Sequence, residues 1–148
     1  DIETIHAATD LLAEAKLSPE LRNEALYYRA KAYTKQKADK KAMEDYRELA
    51  KDTRNSYGAE AKYQVAQSLY DAKEYAAAEK ELLNYIEQST PHAYWLARSF
   101  VLLSDVYHAT GKDLDARQYL LSLQQNYQGN DDIESMIESR LSKLKVEN

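Results

Sequence analysis

Residues 33–46 read YTKQKADKKAMEDY, and the chain returns to the same pattern as LYDAKEYAAAEKEL at 69–82 and YHATGKDLDARQYL at 107–120. Each stretch begins with Tyr or Leu, has a small Ala nine residues later and ends with a bulky residue four positions further on. A repeat of this length is typical of stacked helical hairpins that share one core. The small residues of successive stretches are 36 and 38 positions apart: Ala42, Ala78 and Ala116.

The composition of the 148-residue chain favours helices with one apolar stripe and a polar, solvent-exposed outer face. Charged residues make up 30% of the sequence and apolar residues, counting Tyr, 44%. Three Gly and two Pro are too few for a β-rich chain with many turns. We therefore expect an all-α fold in a single array.

Cap signals divide the chain into eight expected helices. Ser18 and Pro19 are typical of a helix start, and Thr90 with Pro91 repeats that pair. Gly129 is expected to end a helix in the left-handed conformation. The expected segments are a first helix at 1–16, hairpins at 19–54, 56–89 and 91–128, and a closing helix at 130–147, capped by Asn130, Asp131 and Asp132.

Charge and composition exclude several classes of function. A net charge of −5 and a pI near 5.3 argue against nucleic acid, which binds basic surfaces. There is no Cys, so disulfides, thiol nucleophiles and Cys-based zinc sites are excluded. No apolar run approaches the ~18 residues that a membrane span needs, so we expect no insertion of this segment into a membrane.

Catalysis has little support in the sequence. His6, His92 and His108 fall in different predicted helices, and no Gly-rich phosphate loop is present. Asp105 and His108 are one helical turn apart, but two ligands make a weak metal site and a surface hydrogen bond is favoured. We expect no catalytic residues, no metal and no cofactor, and therefore a protein that is not an enzyme.

The repeated positions resemble those of the tetratricopeptide repeat family. Lys62 departs from the family, which usually has an aromatic residue there, and the repeats are longer than the family's usual ~34 residues. The positions that carry the resemblance are Leu26, Arg29, Ala30, Tyr33, Ala42, Tyr46 and Leu49 in the first repeat, Lys62, Val65, Ala66, Leu69, Ala78, Leu82 and Tyr85 in the second, and Phe100, Leu103, Ser104, Tyr107, Ala116, Leu120 and Leu123 in the third.

The resemblance implies a right-handed α-solenoid of three hairpins, with an N-terminal half-repeat helix and a C-terminal capping helix. It also implies a protein-interaction scaffold that binds a peptide or partner protein in its concave groove. The chain has thirteen Tyr and one Phe; these rings can fill a thin core or line such a groove. The expected groove contacts are Tyr27, Lys31, Tyr63, Gln67, Tyr70, Arg98 and Asp105.

Other interpretations remain open. The convex face or the ends of the array could bind instead, or the hairpins could serve only as a spacer. As an alternative function, terminal helices with apolar Ile2, Ile5, Ile137 and Leu141 could stack into a homo-oligomer. These expectations leave the partner itself unidentified.

The long repeats and the segment HAYWLARSF at 92–100 also look like repeat proteins of the bacterial cell envelope, particularly those of Bacteroidetes. That resemblance implies a periplasmic or outer-membrane-associated location, which the residues themselves do not assign. Because the chain starts inside a helical pattern, we expect it to be a segment of a longer protein.

Overall fold

The computed structural model describes residues 1–88 and 90–144 and contains only helices in that part of the chain. The predicted all-α class is therefore confirmed. The helices are α1 (Ile2–Leu12), α2 (Pro19–Lys35), α3 (Asp39–Leu49), α4 (Ser56–Asp71), α5 (Tyr75–Glu87), α6 (Ala93–Ala109), α7 (Asp113–Asn126) and α8 (Ile133–Leu141).

The chain divides into two compact units, and the boundary falls inside α4. The N-terminal unit is Asp1–Val65 and contains α1, α2, α3 and the first part of α4. The C-terminal unit begins at Ala66 and contains the remainder of α4 and the helices that follow. Both units contain buried apolar residues.

In the N-terminal unit, α2 packs against both α1 and α3. Ser18 caps α2 as predicted: its hydroxyl accepts the Leu21 N–H at 3.2 Å, and Pro19 is the first helical residue. The small residues that repeat in the sequence are buried here, Ala30 at 0% exposure and Ala42 at 3%. A larger side chain at either position would force the helices apart at a cost of ~1–3 kcal/mol.

The junction between α3 and α4 depends on a close backbone approach at Gly58. The Asn55 side chain accepts the Gly58 N–H at 2.8 Å and donates to the Asp52 carbonyl at 3.0 Å. This brings Gly58 so close to the preceding loop that a β-carbon would overlap the carbonyl oxygen of Asp52. Only glycine fits this junction without moving the backbone.

In the C-terminal unit, α6 packs against α5 and α7, and α8 packs against α6 and α7. The core that α6, α7 and α8 share is apolar and almost fully buried: Ala97, Val101, Leu120, Leu123, Ile133 and Ile137. The expectation that Ile137 is exposed and available for self-association is therefore wrong, since it is 2% exposed within this core.

Three turns, after α2, α4 and α6, have the same backbone geometry. Each contains one residue with positive φ: Lys37 at 59°, Lys73 at 61° and Gly111 at 79°. In each turn the N–H group of the next residue donates to the carbonyl of the residue that opens the repeated stretch. These hydrogen bonds run from Ala38 to Tyr33 at 2.9 Å, from Glu74 to Leu69 at 2.8 Å and from Lys112 to Tyr107 at 2.8 Å. This is the Schellman pattern of helix C-termini, and it recurs at the spacing of the sequence repeat.

Several predicted helix ends differ from the structure. Helix α1 ends at Leu12 rather than 16, and α6 begins at Ala93, so that Pro91 precedes the helix rather than opening it. Among the described glycines, Gly111 has positive φ and Gly129 does not, so the left-handed end predicted at Gly129 is wrong. The last predicted positions of the second hairpin (89) and of the closing helix (145–147) lie outside the described residues.

Candidate binding site

The seven predicted contact residues divide between the two units. Tyr27, Lys31 and Tyr63 belong to the N-terminal unit, and Gln67, Tyr70, Arg98 and Asp105 to the C-terminal unit. Each set is described within its own unit.

In the N-terminal unit, Tyr27 and Lys31 both bind Glu60. The Tyr27 hydroxyl donates to the Glu60 carboxylate at 3.0 Å, and the Lys31 ammonium lies 3.3 Å from the other carboxylate oxygen. The ammonium also lies 5.1 Å from the centre of the Tyr27 ring, a cation–π distance. We call these three residues the Glu60 cluster. Its polar groups bind one another, and the Lys31 side chain is 46% exposed.

The pKa values of the cluster agree with this geometry. Burial raises the pKa of Tyr27, and Glu60 raises it further because a carboxylate disfavours a phenolate. Burial lowers the pKa of Lys31, but contacts with Tyr27 and Glu60 outweigh that effect and the pKa is raised. Near neutral pH the cluster therefore contains a neutral phenol and an ammonium.

Tyr63, the third predicted contact of this unit, is only 5% exposed. A ligand could touch little of its ring. More accessible aromatic rings lie next to Tyr27: the ring of Tyr57 at a centroid distance of 4.7 Å and that of Tyr28 at 5.2 Å. Tyr28 is 49% exposed. The predicted contacts did not include these two residues, although Tyr28 adjoins Tyr27 in the sequence.

In the C-terminal unit, three of the four predicted residues surround one cavity of about 410 Å³, which we call the α8 cavity. Gln67 and Tyr70 come from α4, and Asp105 comes from α6. Burial raises the pKa of Tyr70, and the negative charge of Asp105 adds to the effect. The remaining lining residues are Ser104, His108, Arg140, Lys143 and Leu144.

A bidentate ion pair joins α6 to α8 at the α8 cavity. The Arg140 guanidinium donates to both oxygens of Asp105, at 3.2 and 3.3 Å. The arginine side chain is 33% exposed and the aspartate 22%. Arg140 was not among the predicted contacts, although the 35 residues that separate it from Asp105 approach the repeat length.

His108 also lines this cavity, and it and Asp105 have different partners. Its Nδ1 lies 2.9 Å from the carboxylate of Asp113, and Asp105 binds Arg140 instead. Within residues 1–88 and 90–144, no group of three or more His, Asp or Glu side chains is placed to hold a metal ion.

Arg98 is not among the described residues that line the α8 cavity. It donates to the Tyr94 hydroxyl at 3.0 Å, and that hydroxyl donates to Asp132 at 3.0 Å. The guanidinium carbon also lies 5.9 Å from the ring centres of Tyr94 and Trp95. Tyr94 therefore connects the start of α6 to the residue before α8, and Arg98 binds this Tyr94 hydroxyl.

The same unit has a smaller, mostly apolar cleft of about 220 Å³ between α6 and α7. Tyr127 forms one wall; burial and a hydrogen bond to Asp131 raise its pKa to about 12. The apolar residues of the other walls are Ala93, Leu96, Ala97, Phe100 and Leu123.

None of the described helices combines the length and the apolar character that a bilayer crossing requires. Comparison of the chain with protein-family models, with curated proteins and with solved structures gives no significant match. Function is therefore inferred from the surfaces described above.

Proposed function

We propose that this chain is a non-enzymatic interaction module of tetratricopeptide-like hairpins that binds a peptide or a segment of a partner protein. The α8 cavity is the proposed binding site. Its volume of about 410 Å³ lies within the range of ligand pockets, about 300–1,000 Å³. The observation that carries the proposal is that Gln67, Tyr70 and Asp105, selected from the sequence as contacts, surround this one cavity.

The repeated turn geometry supports the hairpin part of the proposal. Three turns with the same Schellman pattern follow residues that occupy the same position of the sequence repeat. The small residues of the second and third stretches, Ala78 and Ala116, are fully buried. On this proposal the hairpins form one right-handed α-solenoid, as the resemblance implies.

The chemistry of the α8 cavity suits a peptide. Tyr70 offers an aromatic surface of the kind that anchors interfaces. The Gln67 amide, which donates to Asp71 at 2.9 Å, adds a polar group from the same helix, α4. Because Arg140 and Asp105 already hold each other, the cavity is formed before a ligand arrives, and binding costs the protein little conformational freedom.

The proposal can be tested by selecting linear peptides from a random phage-displayed library with the purified chain and measuring their affinity by calorimetry. A ligand of the α8 cavity should bind Tyr70→Ala about ten-fold more weakly, because the aromatic anchor is lost. The matched control is Lys31→Gln in the Glu60 cluster, which should leave the affinity unchanged. Equal affinity for wild type and Tyr70→Ala would reject the site, and failure to select any peptide would reject the function.

Self-association remains the second candidate, favoured by Ile2, which is 60% exposed on α1. On this alternative, copies of the chain contact one another through that apolar surface. Light scattering over a range of concentrations separates the two functions. A peptide-binding module stays monomeric, whereas a self-associating spacer gains mass with concentration and loses that gain in Ile2→Ser.

A further inference from the structure

The charges that line the α8 cavity are arranged in two successive layers. The first layer is the ion pair of Asp105 on α6 with Arg140 on α8. The second layer consists of His108, three residues after Asp105, and Lys143, three residues after Arg140; both line the same cavity. In both layers the second residue follows the first by 35 positions, so the two pairs share one register.

The two layers differ in charge. In the first, a carboxylate and a guanidinium cancel each other. In the second, both residues can carry positive charge, and Asp105 is the one carboxylate among the described residues that line the cavity. Asp105 is bound by Arg140, and Asp113, the carboxylate next to His108, is not among these lining residues.

Asp113 fixes which nitrogen of His108 a ligand can use. Its carboxylate lies 2.9 Å from Nδ1, so Nε2 is the ring nitrogen left for a ligand. The His108 side chain is 47% exposed, and Lys143 is exposed. Both groups are therefore accessible from the cavity to an incoming side chain.

We propose that the second layer binds a carboxylate, so that the α8 cavity selects peptide segments that carry Asp or Glu. The ligand carboxylate would accept from the Lys143 ammonium, next to the His108 ring, as Asp105 accepts from Arg140. Charge-assisted hydrogen bonds of this kind are roughly twice as strong as neutral ones. This inference rests on the proposed peptide binding and adds the chemistry of the preferred ligand.

The test uses two synthetic tripeptides with acetylated and amidated ends. One contains glutamate, tyrosine and glutamate, and the matched one has glutamine at both acidic positions. Each is titrated into the isotopically labelled chain, and the side-chain NMR signals of His108 and Lys143 are followed. The glutamate peptide should move both signals and bind about ten-fold more tightly than the glutamine peptide, because charged hydrogen bonds contribute more than neutral ones.

Two variants separate a specific site from general attraction to a cation. Lys143→Gln should remove most of the preference for glutamate. Lys80→Gln, which changes an exposed residue of α5, should keep it. Equal affinities for both peptides, with shifts at the cavity, would overturn carboxylate selection but leave peptide binding intact. An equal loss in both variants, or shifts confined to other surfaces, would also overturn it. No shift with either peptide would overturn both proposals.

Discussion

The same position of the sequence repeat has different surroundings in the two units. Lys31 in the N-terminal unit is bound to Glu60 and lies next to the Tyr27 ring. Gln67 and Asp105, its counterparts in the C-terminal unit, line the α8 cavity, where Gln67 donates to Asp71 and Asp105 accepts from Arg140. The neighbouring elements therefore determine what a side chain at this repeat position contacts and whether it borders a cavity.

The largest expected effect concerns the backbone of the N-terminal unit. Gly58→Ala would place a β-carbon onto the Asp52 carbonyl, and neither atom belongs to a flexible side chain. We expect a loss of about 3 kcal/mol in the free energy of unfolding, measured by urea denaturation. Gly111→Ala in the C-terminal unit is the matched control: its β-carbon meets open space, and only the φ of 79° is unfavourable. A Gly58→Ala chain as stable as the control would show that the close approach is wrong.

In each unit a bidentate Arg–Asp pair joins two helices, and these two pairs should differ in their contribution to stability. Arg29 donates to both oxygens of Asp45 at 2.8 and 2.7 Å, and the Asp45 side chain is 6% exposed. Arg29→Met leaves a buried carboxylate without a partner, so we expect a loss of about 2 kcal/mol in the free energy of unfolding. Arg140→Met leaves the more exposed Asp105 and should cost less than about 1 kcal/mol. Equal losses in thermal or urea denaturation would contradict this ranking.

The three similar turns allow a comparison of side chains in a left-handed conformation. Lys37 and Gly111 occupy matching turns with φ of 59° and 79°. Because a β-carbon makes this conformation unfavourable by about 1 kcal/mol, Lys37→Gly should raise the free energy of unfolding and Gly111→Ala should lower it, each by roughly that amount. Changes of the same sign would indicate that the two turns differ.

The smallest expected effect is the response of the Glu60 cluster to high pH. Tyr27 and Lys31 have raised pKa values, above the ordinary 10.0 and 10.5. A raised pKa in the folded state gives stability that is complete below the unfolded pKa and is lost as the pH rises through the folded pKa. The wild type should therefore have a higher free energy of unfolding than the Tyr27→Phe, Lys31→Gln double variant near neutral pH. This difference should shrink as the pH rises beyond about 10. If urea denaturation showed that this stability difference grows with pH, the assigned contacts would be contradicted.

The sequence predicted the helical class and most helix positions because they depend on local signals. Ser18 with Pro19, the apolar stripes and the small residues at Ala30 and Ala42 all act within one or two helical turns. The end of α1 and the conformation of Gly129 were predicted wrongly. The solenoid arrangement and the family resemblance stay predictions.

The candidate site was only partly predictable, for a different reason. Helix periodicity indicates which face a residue occupies, and this placed Tyr70 and Asp105 on the correct helices. It does not reveal charge pairing between helices that are distant in sequence. The Glu60 cluster and the Asp105–Arg140 pair therefore became visible only in three dimensions.

The most direct test of the proposed function compares the two units within one binding experiment. A peptide selected with the wild-type chain would be titrated, by calorimetry, into Tyr70→Ala and into the Tyr27→Phe, Lys31→Gln variant. We predict that affinity falls about ten-fold in the first and is unchanged in the second, since the aromatic anchor belongs to the α8 cavity. A peptide that loses affinity only when the Glu60 cluster is altered would contradict this assignment and place binding in the N-terminal unit.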